Sequence, residues 1–140
     1  THLSTNDNTL RLYNDSCDLI CSTLTVAHIP DFRSALTEWV RVLNNNGDLL
    51  ITDYHSSMLD KGGKRTFHHN GKLINVENYV YPIEMIRALA PHLGLKEIRF
   101  IEKTIDESVR HYYENKNALT EYKAWKGLPV IYGIHFKKEK

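Results

Sequence analysis

The sequence predicts an α/β fold with a parallel sheet, and the observations that predict it lie within residues 16–53. Two short continuous apolar runs, residues 19–21 and 49–51, have the composition of parallel strands that are buried on both faces. The segment between them has the periodicity of an amphipathic helix. Two such strands joined by a helix form a right-handed βαβ unit, so we expect them to lie side by side and parallel.

The helix of this unit is predicted to begin after Asp31, whose carboxylate can accept hydrogen bonds from the free N–H groups of the first turn. Its apolar residues recur at helical spacing and form one stripe: Phe32, Ala35, Leu36, Trp39, Val40 and Leu43. We expect Trp39 to be buried against the sheet. Gly47 suits the left-handed conformation that lets a chain leave a helix.

An inserted β-hairpin is predicted at about residues 64–80. Residues 66–69 and 72–76 have strand composition and flank Asn70 and Gly71, a pair that favours a type I′ turn. The insertion follows the second predicted strand. We therefore expect it to hang over the carboxyl ends of the strands, where open α/β sheets bind their ligands.

After the hairpin we expect one further helix and one further strand. Pro82 suits a first helical position, and Pro91 should end or bend that helix. Apolar and polar residues alternate along residues 95–103, which predicts a strand there.

A long helix and a last strand are predicted to complete the chain. Thr104 and Glu107 fit a capping box, and the helix should end before Gly127. Residues 130–136 read as the last strand. No linker divides the chain, so we expect one domain over residues 1–140, in which the hairpin is an insertion.

The composition excludes several classes of protein. The 140 residues include 41% hydrophobic residues and carry a formal net charge of +1, which provides no general attraction to nucleic acid or an acidic membrane. No apolar run approaches the roughly 20 residues that span a bilayer, and no signal peptide opens the sequence, so we expect a cytoplasmic protein. Cys17 and Cys21 would lie about 13 Å apart on one strand, too far for a disulfide, and we expect free, buried thiols.

The order of these features resembles the middle of class I S-adenosylmethionine-dependent methyltransferases. The resemblance depends on an acidic residue that opens the fourth strand, a His-Ile-Pro-Asp loop, a helix ending in Arg-Val-Leu, a turn with glycine, and a fifth strand of the type Leu-Leu-Ile-x-Asp. Here these are Asp18, residues 28–31, residues 41–43, Gly47 and residues 49–53. The turn departs from the family, since Asn-Asn-Asn-Gly stands at residues 44–47 in place of Lys-Pro-Gly-Gly.

The resemblance implies a Rossmann-like methyltransferase sheet, with parallel strands and an antiparallel last strand between the fifth and sixth. It covers only the C-terminal half of the family's domain, because neither the Gly-rich cofactor loop nor the carboxylate that holds the ribose is found here. We therefore expect an N-terminal half that lies elsewhere, on this or a second chain. Without it, an apolar sheet edge would favour self-association.

The resemblance further implies S-adenosylmethionine as cofactor and methyl transfer to a small-molecule acceptor, with the fragment alone inactive. Methyl transfer is an in-line displacement that needs mainly alignment, so no catalytic residue can be named from the sequence. The alternative is a non-catalytic, methyltransferase-like module that docks on a partner chain.

Several cofactor-binding positions follow from the resemblance. The end of the fourth strand, Ser22, Thr23 and Leu24, would pass close to the methionine end of the cofactor, and His28 would lie near the cleft. Asn6 or Asp7 would hydrogen-bond the adenine amino group. The structural alternatives are a helix-entry histidine and a solvated polar terminus.

Candidate substrate residues lie at the same edge of the predicted sheet. Tyr54 and His55 follow the fifth strand of the family pattern, and four further aromatic or histidine residues could orient a planar substrate: Tyr79, Tyr81, His111 and Tyr112. Each could instead be a packing residue. We expect no metal site, because His68 and His69 are neighbours on a strand and would point to opposite faces.

Overall fold

The computed structural model describes residues 9–61 and 66–140. In chain order the helices and strands are β1 (Cys17–Thr23), α1 (Phe32–Val42), β2 (Leu43–Tyr54), α2 (Ser56–Asp60), β3 (Thr66–His69), β4 (Lys72–Asn75), α3 (Ile83–Leu89), β5 (Leu95–Thr104), α4 (Arg110–Glu114), α5 (Leu119–Trp125) and β6 (Pro129–Lys138). Short 3₁₀ turns occupy Val26–His28, Ala90–Leu93 and Glu107–Val109.

Four of the described strands form the main sheet, in the order β1-β2-β6-β5. β1 and β2 are parallel, and residues 19–21 lie opposite residues 48–50. β6 runs antiparallel to both β2 and β5 and lies between them. The expected parallel βαβ unit and the antiparallel last strand are both confirmed.

One face of this sheet, which we call the inner face, carries α1, α3 and the hydrophobic core. Alternate residues of β2 point to this face, and Leu49 and Ile51 are fully buried there. α1 contributes Phe32 and Leu36 to the same cluster, and α3 contributes Ile86. Asp31 caps α1 as expected, since its carboxylate accepts the N–H of Ser34 at 3.0 Å. Trp39 is only half-buried, edge-on against the Phe32 ring.

The opposite, outer face is largely exposed, which corrects the expectation of strands buried on both sides. Leu19 is 55% exposed, Leu50 37% and Ile101 50%, and register places all three on this face. Both apolar runs place apolar side chains on the two faces of the sheet. The outer-face side chains stay exposed because α1 and α3 both pack on the inner face. Cys17 and Cys21 are free thiols, but Cys17 is only partly buried and Cys21 is exposed.

The exit from α1 differs from the expected glycine cap. The left-handed residue is Asn46, with φ 62°, and Gly47 has no positive φ. Gly47 is needed instead for close approach, because a Cβ there would lie 2.8 Å from the Asn44 carbonyl oxygen and 2.8 Å from the Leu43 side chain. α1 passes directly into β2 at Leu43, so no separate helix-ending glycine is required.

The hairpin of β3 and β4 is confirmed, with Asn70 and Gly71 at φ 49° and 72° as a type I′ turn requires. α3 ends before Pro91, also as expected. The predicted long helix is wrong, because Asn117, at φ 52°, separates α4 from α5. The cap of the preceding 3₁₀ turn is Asp106 rather than Thr104, which belongs to β5.

Candidate functional site

A cleft opens where β1 and β2 end, on the carboxyl side of the parallel pair. Four parts of the chain line it: the 3₁₀ turn after β1, the end of β2 with α2, the segment at residues 79–81, and β6. The lining residues from these parts are Val26, Ala27, Asp53, Tyr54, Ser56, Leu59, Tyr79, Val80, Tyr81 and Tyr132. This is the edge where the topology of an α/β sheet places ligands.

Asp53 is the charged residue at the base of this cleft and is only 1% exposed. Its Oδ2 accepts the Ala27 N–H at 3.1 Å and its Oδ1 accepts the Tyr54 N–H at 2.7 Å. A buried charge is tolerated only where polar groups compensate it, and these two amides help to do so. Tyr132 lies directly opposite Asp53 in the sheet, and burial together with the Asp53 charge raises the pKa of its phenol.

Two tyrosines from the segment at residues 79–81 close one side of the cleft. The backbone N–H of Tyr79 donates to the Ala27 carbonyl at 2.9 Å and ties the segment to the 3₁₀ turn. The Tyr81 hydroxyl donates towards the carbonyls of Ile29 and Pro30, at 2.6 and 2.9 Å, and burial raises its pKa. Tyr81 therefore presents its ring to the cleft while its hydroxyl anchors the loop before α1.

His55 follows the cleft residues but is held by other contacts. Its Nδ1 accepts the backbone N–H of Ser57 at 3.2 Å, which caps α2, and its Nε2 lies 2.9 Å from Oε1 of Glu102. The Ser57 hydroxyl lies 2.8 Å from Nδ1 but donates to the Pro129 carbonyl at 2.9 Å. A nucleophilic serine must give its proton to the histidine, so these residues do not form a hydrolase triad. His55 joins α2 to β5 and is absent from the cleft lining.

The end of β1 holds the predicted cofactor residues Ser22, Thr23 and Leu24. Ser22 is 6% exposed, and its Oγ has no hydrogen-bond partner among the described residues. Leu24 takes a left-handed conformation, φ 52°, and its N–H donates to Thr52 of β2, so the chain turns sharply away from the sheet here. His28 ends the following 3₁₀ turn and is half-buried. Asn6 and Asp7 lie outside the described residues.

Of the predicted substrate residues, the structure brings Tyr54, Tyr79 and Tyr81 together in the cleft. It places His111 and Tyr112 elsewhere, as an exposed pair on α4 whose rings are tilted by 40° with centroids 3.9 Å apart. The role of all these residues in substrate binding stays a prediction. Among the described residues no cluster of three or more His, Cys, Asp and Glu could hold a metal, and no helix is long and apolar enough to cross a bilayer.

Asp53 and Tyr132 are candidate site residues that sequence reasoning did not identify. For Asp53 a signal was present, because it is a carboxylate directly after a buried strand at the ligand-binding edge. For Tyr132 there was none, because its place opposite Asp53 depends on the position of β6 within the sheet.

Comparison with known proteins supports the resemblance. Residues 3–51 match a family model described as a methyltransferase domain. A putative S-adenosylmethionine-dependent methyltransferase from Listeria monocytogenes superposes with a TM-score of 0.69 at 13% identity, covering 95% of this chain and 66% of that one. A putative sarcosine dimethylglycine methyltransferase from Galdieria sulphuraria gives 0.64 at 20% identity, covering 99% and 58%.

The [4+2]-cyclase SpnF is similar to the same degree, with a TM-score of 0.63 at 11% identity, covering 99% of this chain and 56% of that one. No curated protein matches the chain by sequence. The chain thus spans between 56% and 66% of the length of these three solved structures. At such low identity the likeness of structures shows the fold alone. The Rossmann-like fold and the resemblance to class I methyltransferases are confirmed.

Proposed function

We propose that this chain forms the C-terminal half of an S-adenosylmethionine-dependent methyltransferase domain that acts on a small-molecule acceptor. One observation carries the proposal: the residues that match the methyltransferase family model, 3–51, contain β1, α1 and most of β2, and the cleft opens where these two strands end. The segment that resembles methyltransferases therefore supplies the two parallel strands at whose carboxyl ends the cleft opens, and it contributes Val26 and Ala27 to the lining.

The end of β1 is suited to hold part of the cofactor, which would supply a methyl group on a positively charged sulfur. The buried Ser22 hydroxyl has a donor and lone pairs with no partner among the described residues, and a bound molecule could satisfy them. The sharp turn at Leu24 leaves Thr23 and Leu24 exposed beside it. His28, and Asn6 or Asp7, are proposed as further contacts.

The chain's own contribution to the reaction would be alignment and exclusion of water. Holding two reacting groups in line can contribute roughly 7–11 kcal/mol, so rigid walls matter more than a reactive side chain. The walls of this cleft are fixed by backbone hydrogen bonds, from Tyr79 to Ala27 and from Ala27 and Tyr54 to the Asp53 carboxylate. The tyrosine rings restrict access of water to the acceptor.

The proposal requires an N-terminal half that covers the outer face. Two observations support this half. The chain spans only 66% and 58% of the length of the Listeria and Galdieria structures. The outer face also carries exposed apolar side chains that another part of a protein could cover. Among the strands of residues 9–61 and 66–140, β1 also lies at the edge of the sheet, where its outer side can pair with another strand.

Titration calorimetry with S-adenosylmethionine tests the proposal. This chain alone should bind at millimolar concentration or more weakly, since each charged hydrogen bond lost with the Gly-rich loop costs about 1.5–3 kcal/mol, or tenfold and more. The same chain extended by the coding sequence upstream of Thr1, or mixed with that segment, should bind at micromolar concentration and transfer methyl groups.

Ser22→Val should weaken this binding, whereas Ser34→Ala, on the exposed side of α1, should not. Micromolar binding by the chain alone would contradict the proposed division of the site.

The alternative is a module that binds a partner without transferring methyl groups. The similarity to the [4+2]-cyclase SpnF supports this alternative, because that protein of similar fold is described as a cyclase and not as a methyltransferase. Upstream sequence that lacks a strand followed by a Gly-rich turn would support the module, as would a complemented chain that binds its partner but not the cofactor.

A further inference from the structure

We infer that the outer face of the sheet is covered by an amphipathic helix that carries carboxylates along the side lying over β5. The inference rests on the proposed function, which makes an N-terminal half the occupant of this face, and it adds the chemistry of that occupant. It depends on the apolar side chains of the outer face, on the basic side chains of β5 and on where the carboxylates of the same strands lie.

Apolar side chains extend across the outer face from one edge of the described sheet to the other. Leu19 on β1, Leu50 on β2, Ile131 on β6 and Ile101 on β5 are all exposed, and their strands are neighbours in that order. An apolar sheet face is buried against another element, and in α/β folds that element is a helix. The helices α1 and α3 of this chain pack on the inner face instead.

Basic side chains lie on the same outer face, along β5. Register places Lys96, Arg99 and Lys103 opposite outer-face positions of β6, and all three are exposed. None of them forms an ion pair with another residue in the described part of the chain. We call these three residues the basic row. It adjoins the apolar side chains at Ile101, which lies between Arg99 and Lys103 on the strand.

The carboxylates of β5 lie on the other face and already have partners. Register places Glu97 and Glu102 on the inner face. Oε2 of Glu97 lies 2.8 Å from Nε of Arg87 on α3, and Oε1 of Glu102 lies 2.9 Å from Nε2 of His55. β5 thus separates its charges, with paired acids on the inner side and bases without a described ion-pair partner on the outer side.

Carboxylates for the basic row must therefore come from the covering element. Taking a charged group out of water is costly unless an opposite charge compensates it, so a cover without carboxylates would be disfavoured. A second copy of this chain does not supply them through the same face. Asp48 is the carboxylate that the described strands place there, and His135 and Lys137 already hold it at 2.7 and 3.0 Å.

The length of the basic row fits a helix. Lys96 and Lys103 are separated by about 23 Å along the strand, at about 3.3 Å per residue. A helix rises about 1.5 Å per residue, so about 15 residues cover the row. Side chains three or four residues apart share one side of a helix, so carboxylates at that spacing would follow the row. The neighbouring apolar stripe of the helix would pack on Leu50 and Ile101.

The test uses the full chain and two synthetic peptides of about 18 residues, long enough to cover the row as helices. Both carry the same leucine stripe at helical spacing. The positions that flank one side of this stripe are glutamate in the acidic peptide and lysine in the basic peptide. Fluorescence anisotropy of the labelled peptides measures their affinity, and the backbone amide signals of the ¹⁵N-labelled chain locate the contact.

The acidic peptide should bind about tenfold more tightly than the basic peptide at about 0.1 M salt, because three exposed ion pairs replace three repulsions. It should shift the amide signals of Leu50, Ile101 and Gly133, which lie on the outer face. At about 1 M salt the preference should shrink, because the Debye length falls from about 10 Å to about 3 Å.

Variants locate the preference on β5. Arg99→Glu with Lys103→Glu should reverse it, and Arg99→Gln with Lys103→Gln should reduce it severalfold should the reversed pair fail to fold. Arg11→Glu with Arg33→Glu makes the same change of charge at exposed positions before β1 and on α1. This control should leave the preference intact.

Equal affinity for the two peptides, no binding of the acidic peptide, or an unchanged preference in the folded β5 variants would overturn the inference. So would binding to vesicles of equal parts phosphatidylserine and phosphatidylcholine without binding of the acidic peptide, since the face would then suit an anionic membrane. A chain that shows the preference, yet transfers no methyl group when complemented, would refute the proposed function alone. Methyl transfer by a complemented chain whose docking is unaffected by Arg99→Glu with Lys103→Glu would refute only the inference.

Discussion

Leu49 and Leu50 are neighbours on β2 that point to opposite faces of the sheet, and they provide a matched test of the open outer face. Leu49 is fully buried among the core residues of the inner face. Leu50 is 37% exposed and lies opposite Cys21 and His135 on the outer face. Each is replaced by alanine, so the loss of side-chain volume and of strand propensity is the same in both variants.

The two substitutions should differ by about 1 kcal/mol or more in the free energy of unfolding. Leu49→Ala removes a fully buried side chain and leaves a cavity, which costs about 2–5 kcal/mol. Leu50→Ala leaves no enclosed cavity, because water reaches the position, and only part of the roughly 1.5–3 kcal/mol for burying a leucine is lost. We expect a cost of about 1 kcal/mol or less.

Urea denaturation followed by tryptophan fluorescence measures the difference, at a concentration where sedimentation shows a monomer. One kcal/mol corresponds to roughly 2–4 °C in Tm for a domain of 150–250 residues, so thermal melts should separate the variants by about 2 °C or more. Equal destabilisation of the two variants would refute the reasoning, because it would mean that the outer face is packed within this chain.

Three further predictions follow from the described contacts. The double variant Leu50→Lys, Ile101→Lys should leave the free energy of unfolding nearly unchanged but prevent the proposed N-terminal half from docking on the outer face. Sedimentation of the mixed halves measures this docking, and unchanged docking would mean that the N-terminal half binds elsewhere. Gly47→Ala should destabilise the chain by about 1–3 kcal/mol in denaturant melts, since its Cβ would meet a backbone carbonyl and Leu43 at 2.8 Å. Hydrogen bonds from Arg110, Tyr122 and Lys126 lower the pKa of Glu107 from 4.5 to about 2. Its contribution to stability is therefore present above pH 4.5 and lost as the pH falls towards 2, and the difference in Tm between the chain and Glu107→Gln should disappear over that range.

The elements that the sequence predicted well are those whose signal is local. The period of α1, the Asp31 cap and the Asn70–Gly71 turn depend on residues a few positions apart, and each is confirmed. The expected long helix failed because apolar spacing continues across Asn117, and a single left-handed residue interrupts it. Nothing in the composition of the segment required that turn.

Burial of the strands could not be predicted from their composition. An apolar run shows that both faces of a strand can be covered, and whether they are covered depends on which elements are present to pack there. Leu19 and Leu50 have the same composition signal as Leu49, yet only Leu49 is fully buried. The same limit applies to the candidate site, because the approach of Tyr132 to Asp53 depends on β6 lying between β2 and β5.

Tyr54 connects the outer face to the cleft. Register places it on the outer face, opposite Ile131, and it also lines the cleft and donates its backbone N–H to the Asp53 carboxylate. An N-terminal half that covers the outer face would restrict the Tyr54 side chain, which is 40% exposed in this chain. When docking has already ordered the Tyr54 side chain, acceptor binding no longer loses the entropy of ordering it. Docking and acceptor binding should therefore strengthen each other. Because such coupling is reciprocal, the acceptor should also tighten the association of the two halves by the same factor.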